Sequence, residues 1–232
     1  MQVLRQGGEY LGRRERRLWW YFGSASAATI LFSLTLAVHP LLALVAAAAA
    51  FVLANAAASR LERVRRGRVG ERLVSDLLKR LPDDYYLVND VVVNGSRGNV
   101  DHVVVGPCGL VVIETKRWVG LIRCDGDDWY VNGHRTGSVS RQVKRGAVAV
   151  RGFLAARYPD VQPGYVQSIA VFTHPLCRLK VNHAQTAVVR YSELMQLMTE
   201  LGRRRRISPT LARRLAESLA GSSTAGTSGG SS

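Results

Sequence analysis

Residues 99–116, NVDHVVVGPCGLVVIETK, constrain the fold more than any other stretch of the chain. They contain two apolar runs, Val100–Val105 and Leu110–Thr115, with GPCG at 106–109 between them. Glycine and proline at those positions have the composition of a turn. Two short apolar runs joined by four turn residues are typical of a β-hairpin. The stretch therefore predicts a pair of antiparallel strands.

Three charged side chains interrupt the apolar pattern of this hairpin. Asp101 opens the first strand, and Glu114 and Lys116 close the second. Because residues two apart on a strand point to the same face, Glu114 and Lys116 project side by side, and the hairpin can bring Asp101 next to them. From spacing alone, an alternative stays open in which Asp101 is a turn residue and the other two form a solvated strand end.

Two carboxylates and a lysine on one sheet face suit the hydrolysis of a phosphodiester. Carboxylate oxygens are hard ligands that suit Mg²⁺, which takes its remaining ligands from water and substrate phosphates. Such an ion lowers the pKa of a bound water, and a lysine can orient that water or stabilise the transition state. The spacing of Asp101, Glu114 and Lys116 is consistent with this chemistry.

Several short motifs occur in the order found in a known family. The chain resembles the nuclease-related domain (NERD), and its hairpin resembles the core of the restriction-endonuclease-like, PD-(D/E)xK, superfamily. The resemblance is carried by Gly70-Glu71, Val100–Pro107, Gly109-Leu110, Ile113–Lys116, Trp118, Gly120 and Trp129. It covers roughly residues 68–132 well. One departure is Val100, where the superfamily has a structural proline before the aspartate.

The resemblance implies an α/β fold with a mixed sheet flanked by helices. It also implies a nuclease that depends on Mg²⁺ or Mn²⁺. Asp101 and Glu114 would hold the metal together with the main-chain carbonyl of Thr115, and Lys116 would position the attacking water. We therefore expect Asp101, Glu114 and Lys116 to be catalytic residues.

Two further side chains are candidate members of the same site. Gly70–Leu81 has the apolar spacing of an amphipathic helix, and Glu71 borders its apolar stripe. Glu71 either stabilises the helix start or reaches a cleft, and the resemblance makes it an outer member of the acidic site.

Val139–Tyr158 is predicted to be a second helix with Gln142 toward the sheet. In relatives of this fold a glutamine on this helix reaches the active site, but Gly146 stands where they have a tyrosine.

The N-terminal part of the chain resembles a membrane anchor in composition. Leu18–Val38 and Leu41–Ser59 carry no charge and are separated by His39-Pro40. As a helix, the first run would extend roughly 31 Å, close to the hydrocarbon thickness of a bilayer. Arginines flank the pair on both sides, so the positive-inside rule predicts a two-helix transmembrane hairpin with both ends in the cytoplasm. A re-entrant loop, a buried soluble hairpin and a signal peptide are alternatives, although the apolar core is too long for the last.

The charge of the chain favours acidic partners. The formal net charge is +15, which suits nucleic acid or the anionic inner face of a membrane. The three cysteines are widely spaced, which fits neither a disulfide framework nor a structural zinc site. Trp118 and Trp129 could stack on bases, although tryptophans are more often packing residues.

We expect six segments along the chain. They are a basic N-terminal segment with little structure (1–17), the membrane hairpin (18–59), a basic linker (60–69), the nuclease-like domain (70–201), a basic segment with a C-terminal helix (202–220) and a disordered tail (221–232). Further strands are predicted at 85–93, 121–124, 129–132, 166–172 and 186–191, and helices at 193–201 and 208–220.

Together these features predict a multi-pass protein of the inner cell membrane with a cytoplasmic, Mg²⁺-dependent nuclease domain. Two other classes stay open. One is a non-catalytic module of the same fold that binds nucleic acid or a protein partner at the membrane. The other is a membrane interaction protein in which the nuclease-like core is only a scaffold.

Overall fold

The computed structural model describes residues 2–5, 19–28, 40–93, 98–160 and 166–225. The chain divides into two compact units, one made of Gly8–Arg68 and the other of Met1–Gly7 with Val69–Ser232. The strands, in chain order, are β1 (Gln2–Arg5), β2 (Tyr86–Val91), β3 (Val100–Gly106), β4 (Gly109–Lys116), β5 (Gly120–Asp125), β6 (Asp128–Val131), β7 (His134–Thr136), β8 (Gln167–Phe172), β9 (Cys177–Asn182) and β10 (Ala187–Arg190). The helices are α1 (19–28), α2 (Pro40–Leu78), α3 (Val139–Arg157), α4 (Leu194–Gly202) and α5 (Pro209–Ala225).

Helix α2 begins at Pro40 and continues through residues 60–69, the expected linker. Among the described residues, one helical stretch, Leu44–Leu78, is long and apolar enough to cross a membrane. The mean hydropathy of its most apolar window is 1.7, and none of that window is buried in the protein. Residues 29–39, which include His39 of the predicted His39-Pro40 turn between spans, lie outside the described residues. A two-helix hairpin is therefore not shown.

The second unit is built on a six-stranded mixed sheet with the order β1-β2-β3-β4-β8-β10. Strands β2, β3 and β4 are antiparallel, and β4, β8 and β10 run parallel to one another. One face of the sheet packs against α3 and α5, and the other packs against α4 and the Val69–Leu78 part of α2. This confirms the prediction of a mixed sheet flanked by helices.

A second mixed sheet, with the order β7-β6-β5-β9, lies beside the first. Its core contains Ile122 and Trp129, which pack with Ala170 and Phe172 of β8 and with Val139 at the start of α3. This contact places the β7–α3 connection next to the end of β4. The β7–α3 connection forms part of the wall of an open cleft beside the candidate site.

Several predicted boundaries differ from the structure. The turn between β3 and β4 is two residues shorter than expected, because Gly106 pairs with Gly109. Residues 2–5 form an edge strand although little structure was expected there, and β7 and β9 were not predicted. Residues 221–225 continue helix α5 rather than belonging to a disordered tail, and 226–232 lie outside the described residues.

Candidate active site

The central hairpin brings two acids close together at one end of the sheet. Val103 pairs with Val112, and both pack into the core between the sheet and helices α3 and α5. Asp101 lies two residues before Val103, and Glu114 lies two residues after Val112. Since side chains alternate along a strand, Glu114 projects to the face covered by α3, where it contacts Gln142. The alternation does not extend to the start of β3, because Val100 as well as Val103 packs on the α3 face.

The Asp101 carboxylate takes part in holding the end of the hairpin together. Its Oδ2 atom accepts a hydrogen bond of 2.8 Å from the main-chain N–H of Thr115. A main-chain donor within a sheet needs an acceptor, and at this point a side chain supplies it. The bond holds one edge of the Asp101 carboxylate against the chain segment that carries Glu114 and Lys116.

Glu114, Lys116 and Gln142 form a closed triangle of hydrogen bonds. The Lys116 ammonium donates to Glu114 Oε1 at 2.7 Å and to Gln142 Oε1 at 3.0 Å. The Gln142 Nε2 atom donates to the same Glu114 oxygen at 2.7 Å. The amide of Gln142 thus joins the acid and the base of β4 to the first turns of α3, and each side chain restricts the rotamers of the other two.

Burial makes both carboxylates costly to ionise. The Glu114 residue is only 5% exposed, and burial raises its pKa while the nearby Lys116 ammonium opposes the shift. Burial also raises the pKa of Asp101 well above its ordinary value, and the charges of Glu114 and Glu71 raise it further. Buried acids with raised pKa values form an environment that favours a bound cation.

Glu71 is the third acid near this group. It lies on α2, which packs on the opposite face of the sheet, and its carboxylate is close enough to raise the pKa of Asp101. Gly70 brings the helix against the end of β4, since a Cβ atom there would lie 3.1 Å from Thr115 Cγ2 and 2.9 Å from Thr173 Oγ1. The absence of a side chain at Gly70 therefore allows Glu71 to approach the sheet end.

An open cleft of about 370 Å³ adjoins the triangle. Its walls are Lys116, Trp118, Thr136, Gly137, Ser138, Arg141, Gln142 and Arg145. Three of these side chains are cationic and one is aromatic. Lys116 and Gln142 belong both to the triangle and to the cleft wall, so the cleft leads directly to Glu114.

A family of known proteins matches the residues around this site. Residues 66–173 match the nuclease-related domain (NERD) family. We call them the NERD region. They include Asp101, Glu114, Lys116 and Gln142, and the match indicates a nuclease-related function.

Two further comparisons found shorter or more distant likenesses. An uncharacterized protein of Bacillus anthracis is 38% identical over 61 residues, which is 25% of this chain and 29% of that protein. The chain therefore matches less than a third of the length of that relative. The structure of Pyrococcus furiosus SfsA in complex with Ca²⁺ aligns with 68% of this chain and 54% of that chain, at 16% identity and a TM-score of 0.27.

The donor set of the NERD region is compatible with a hard divalent ion. In the part of the chain that the structure describes, no three His, Cys, Asp or Glu side chains form a group that could hold a metal. Mg²⁺ does not need three, because it is commonly bound by one or two carboxylates with waters and substrate phosphates. Asp101 and Glu114 are two such carboxylates, and their raised pKa values mean that a positive charge would stabilise the ionised forms.

The structure separates residues that sequence reasoning treated alike. Trp129 is fully buried and Trp118 lines the cleft, although both were equal candidates for base stacking. Arg141 and Arg145 were two of many basic residues on α3, and only the position of the cleft distinguishes them. Gly146 lies against Val100, with a hypothetical Cβ only 3.0 Å from its Cγ2 atom, so a tyrosine would not fit there.

Proposed function

We propose that the NERD region is a Mg²⁺-dependent phosphodiesterase of the restriction-endonuclease-like type that hydrolyses nucleic acid. The observation that carries the proposal is the arrangement at the end of the β3–β4 hairpin. Asp101 accepts a hydrogen bond from the N–H of Thr115, the residue after Glu114, and the Lys116 ammonium lies 2.7 Å from the Glu114 carboxylate. The match to the NERD family supports the same class of chemistry.

In this proposal Asp101, Glu114 and the main-chain carbonyl of Thr115 hold the metal. When bound, Mg²⁺ or Mn²⁺ lowers the pKa of a water and neutralises charge on the phosphate. Lys116 orients the attacking water and, as a point charge, stabilises the negative charge that develops on the phosphate oxygens. Gln142 holds the side chains of Lys116 and Glu114 in fixed relative positions, and Glu71 adds negative charge near Asp101.

We further propose that residues 18–59 anchor this activity at the cytoplasmic face of the inner cell membrane. Supporting this, helix α2 exposes a row of large apolar side chains that no part of the described protein covers, including Leu44, Val45, Phe51, Val52 and Leu53. Exposed apolar surface of that extent on one helix is unusual in a soluble protein. The arginines that follow at 60–68 are suited to the anionic headgroups of the cytoplasmic leaflet.

A cleavage assay tests the catalytic proposal. The full-length chain in detergent is incubated with labelled DNA and RNA in Mg²⁺, in Mn²⁺ and in a chelator. Wild type should cleave only with metal, and Glu114→Gln and Lys116→Met should each lower the rate by about a hundredfold or more. Glu217→Gln, which removes an exposed carboxylate paired with Arg213 on α5, is the matched control and should cleave normally. Equal cleavage by all four proteins would refute the catalytic role.

A non-catalytic binding module is the second candidate, and the cationic cleft favours it specifically. Lys116, Arg141 and Arg145 would attract a phosphate backbone whether or not a bond is cut. Salt-dependent binding that survives Glu114→Gln, without cleavage by wild type, would identify this function instead.

A further inference from the structure

The cleft beside the site combines two kinds of surface that recognise different parts of a nucleotide. Arg141 and Arg145 lie one helical turn apart on α3 and are both exposed along the cleft. Trp118 forms another part of the wall. Cations alone would suit any phosphate backbone, whereas an accessible aromatic ring beside them suits a base.

The Trp118 ring is held in place by the core of the second sheet. It packs edge-on against Phe172, with ring centroids 5.8 Å apart and planes at 62°. Phe172 is itself buried and also stacks against Trp129, at 5.7 Å and 17°. Trp118 therefore keeps one ordered position while part of its ring stays open to the cleft.

Trp118 is also tied to the proposed reaction centre. The Lys116 ammonium lies 5.9 Å from the Trp118 ring centroid and 2.7 Å from Glu114 Oε1. A base on Trp118 would thus belong to a nucleotide close to the phosphate that Lys116 contacts. The hydroxyls of Thr136 and Ser138 in the cleft wall add polar groups that could contact the sugar or a phosphate.

We propose that this cleft is a subsite for one unpaired nucleotide beside the scissile phosphate. Its base stacks on Trp118, and its phosphate lies between Arg141 and Arg145. In an intact duplex each base is already stacked on its neighbours, and extruding it costs free energy, so a ring in a cleft favours a base of a single strand or of an unpaired end. This inference rests on the proposed function and gives its substrate class, single-stranded nucleic acid rather than duplex.

The substrate class is tested by binding in the absence of divalent metal. Fluorescence anisotropy is measured for the full-length chain in detergent with oligo(dT) and oligo(U) of about 12 nucleotides and with a blunt duplex of the same length. One or both single strands should bind about tenfold more tightly than the duplex. Trp118→Ala should remove about tenfold of the single-strand affinity, and Trp118→Phe, which keeps an aromatic face, should retain most of it.

A charge comparison on one helix keeps the test independent of Trp118 and its packing. Arg141→Glu with Arg145→Glu should weaken single-strand binding by more than tenfold. The matched control, Arg151→Glu with Arg157→Glu, makes the same charge change at exposed positions of α3 that do not line the cleft. This control should lose much less of the single-strand affinity. Thermal unfolding of each variant checks that it folds.

The results that would overturn the nucleotide subsite differ from those that would overturn the nuclease function. Equal affinity for duplex and single strands, unchanged affinity in Trp118→Ala, or equal losses in the two double variants would overturn the subsite. Metal-dependent cleavage of duplex that ignores Trp118→Ala would overturn it while leaving the nuclease proposal in place. Single-strand binding that depends on Trp118, without any cleavage in Mg²⁺ or Mn²⁺, would leave the subsite and remove the nuclease.

Discussion

The ammonium of Lys116 and the carboxylate of Glu114 lie 2.7 Å apart on the same strand, separated by a single residue. Both side chains are largely shielded from water, with 18% and 7% of their surfaces exposed. A buried carboxylate is costly unless it is paired and hydrogen-bonded, and Lys116 and Gln142 supply both kinds of partner. The end of an otherwise apolar strand can therefore carry a charged group.

Gln142 should act as a positioning residue for this pair. Gln142→Leu removes the amide that bridges Glu114 and Lys116, and hydrogen bonds to charged groups are worth about 1.5–3 kcal/mol. We expect kcat for nucleic-acid cleavage to fall about 10- to 100-fold with little change in KM. Gln196→Leu is the control, since Gln196 also donates to a glutamate, Glu200, but on α4. Similar rates for both variants would show that the bridge has no role in positioning.

The raised pKa of Asp101 predicts that this residue destabilises the fold at neutral pH. The folded state binds its proton more tightly than the unfolded state, in which the pKa is near 3.8. The free energy of unfolding should therefore fall as the pH rises above 3.8 and through the folded pKa. The loss is about 1.4 kcal/mol for each pH unit that separates the folded pKa from the unfolded one.

Asp101→Asn removes that titration while keeping an oxygen that can accept from the Thr115 N–H. The variant should be more stable than wild type at pH 7 and nearly equal to it at pH 3, as measured by urea unfolding across this range. Glu217→Asn, at an exposed position on α5, serves as the control and should show no such gain. A variant that is less stable than wild type at pH 7 would contradict a raised pKa at Asp101.

The location of the site could be predicted because its acids and its lysine lie on one hairpin, so their proximity depends only on residues that are close in the sequence. Alternation and one short turn predict that Asp101, Glu114 and Lys116 lie close together, and in the structure Asp101 accepts from the Thr115 N–H while Lys116 donates to Glu114. The full span of α2 could not be predicted in the same way. Residues 60–69 differ from the preceding stretch in charge, but alanine, arginine and glutamate are all good helix formers, so the change in composition does not end the helix.

Other features depend on contacts that a sequence pattern does not reveal. Strand β1 exists through parallel pairing with β2, which is distant from it in the chain. Strand β9 is mostly exposed, but its sequence CRLKVN alternates between apolar and polar residues, so this strand carried a signal that the prediction missed. Arg141 and Arg145 become distinct from their neighbours on α3 only because the second sheet brings Trp118 and Thr136 beside them.

Gly70 should be needed for the approach of α2 to the end of β4. Within a helix, alanine is favoured over glycine by about 1 kcal/mol. At Gly70, however, the added Cβ would lie 2.9 Å from Thr173 Oγ1 and 3.1 Å from Thr115 Cγ2. We expect Gly70→Ala to lower both the free energy of unfolding and the cleavage rate, because the displaced Thr115 segment holds Asp101.

Gly152 of α3 provides the matched control for that substitution. It is helical, and a Cβ there would meet no atom within 4 Å. Gly152→Ala should therefore stabilise the protein by about 1 kcal/mol and leave cleavage unchanged. If Gly70→Ala were equally stabilising in chemical unfolding, the close packing of α2 on β4 would have no energetic consequence.

The exposed apolar face of α2 should hold the protein in a membrane. Wild type expressed in bacteria should stay in the membrane pellet after an alkaline carbonate wash. Val45→Arg with Val52→Arg should release a large fraction, since an arginine near a helix centre costs about 2.5–3.5 kcal/mol on insertion. Val148→Arg with Leu176→Arg, at exposed apolar positions of the second unit, should remain in the pellet. Wild type in the supernatant would contradict the anchor.

The most direct measurement is an X-ray diffraction experiment on crystals grown with Mn²⁺, with anomalous data collected at the manganese edge. We predict one strong anomalous peak between the carboxylates of Asp101 and Glu114, within about 2–2.5 Å of an oxygen from each. The peak should be absent from crystals of Asp101→Asn grown in the same way. No peak in wild type, or a peak bound only by other side chains, would contradict a metal shared by these two acids.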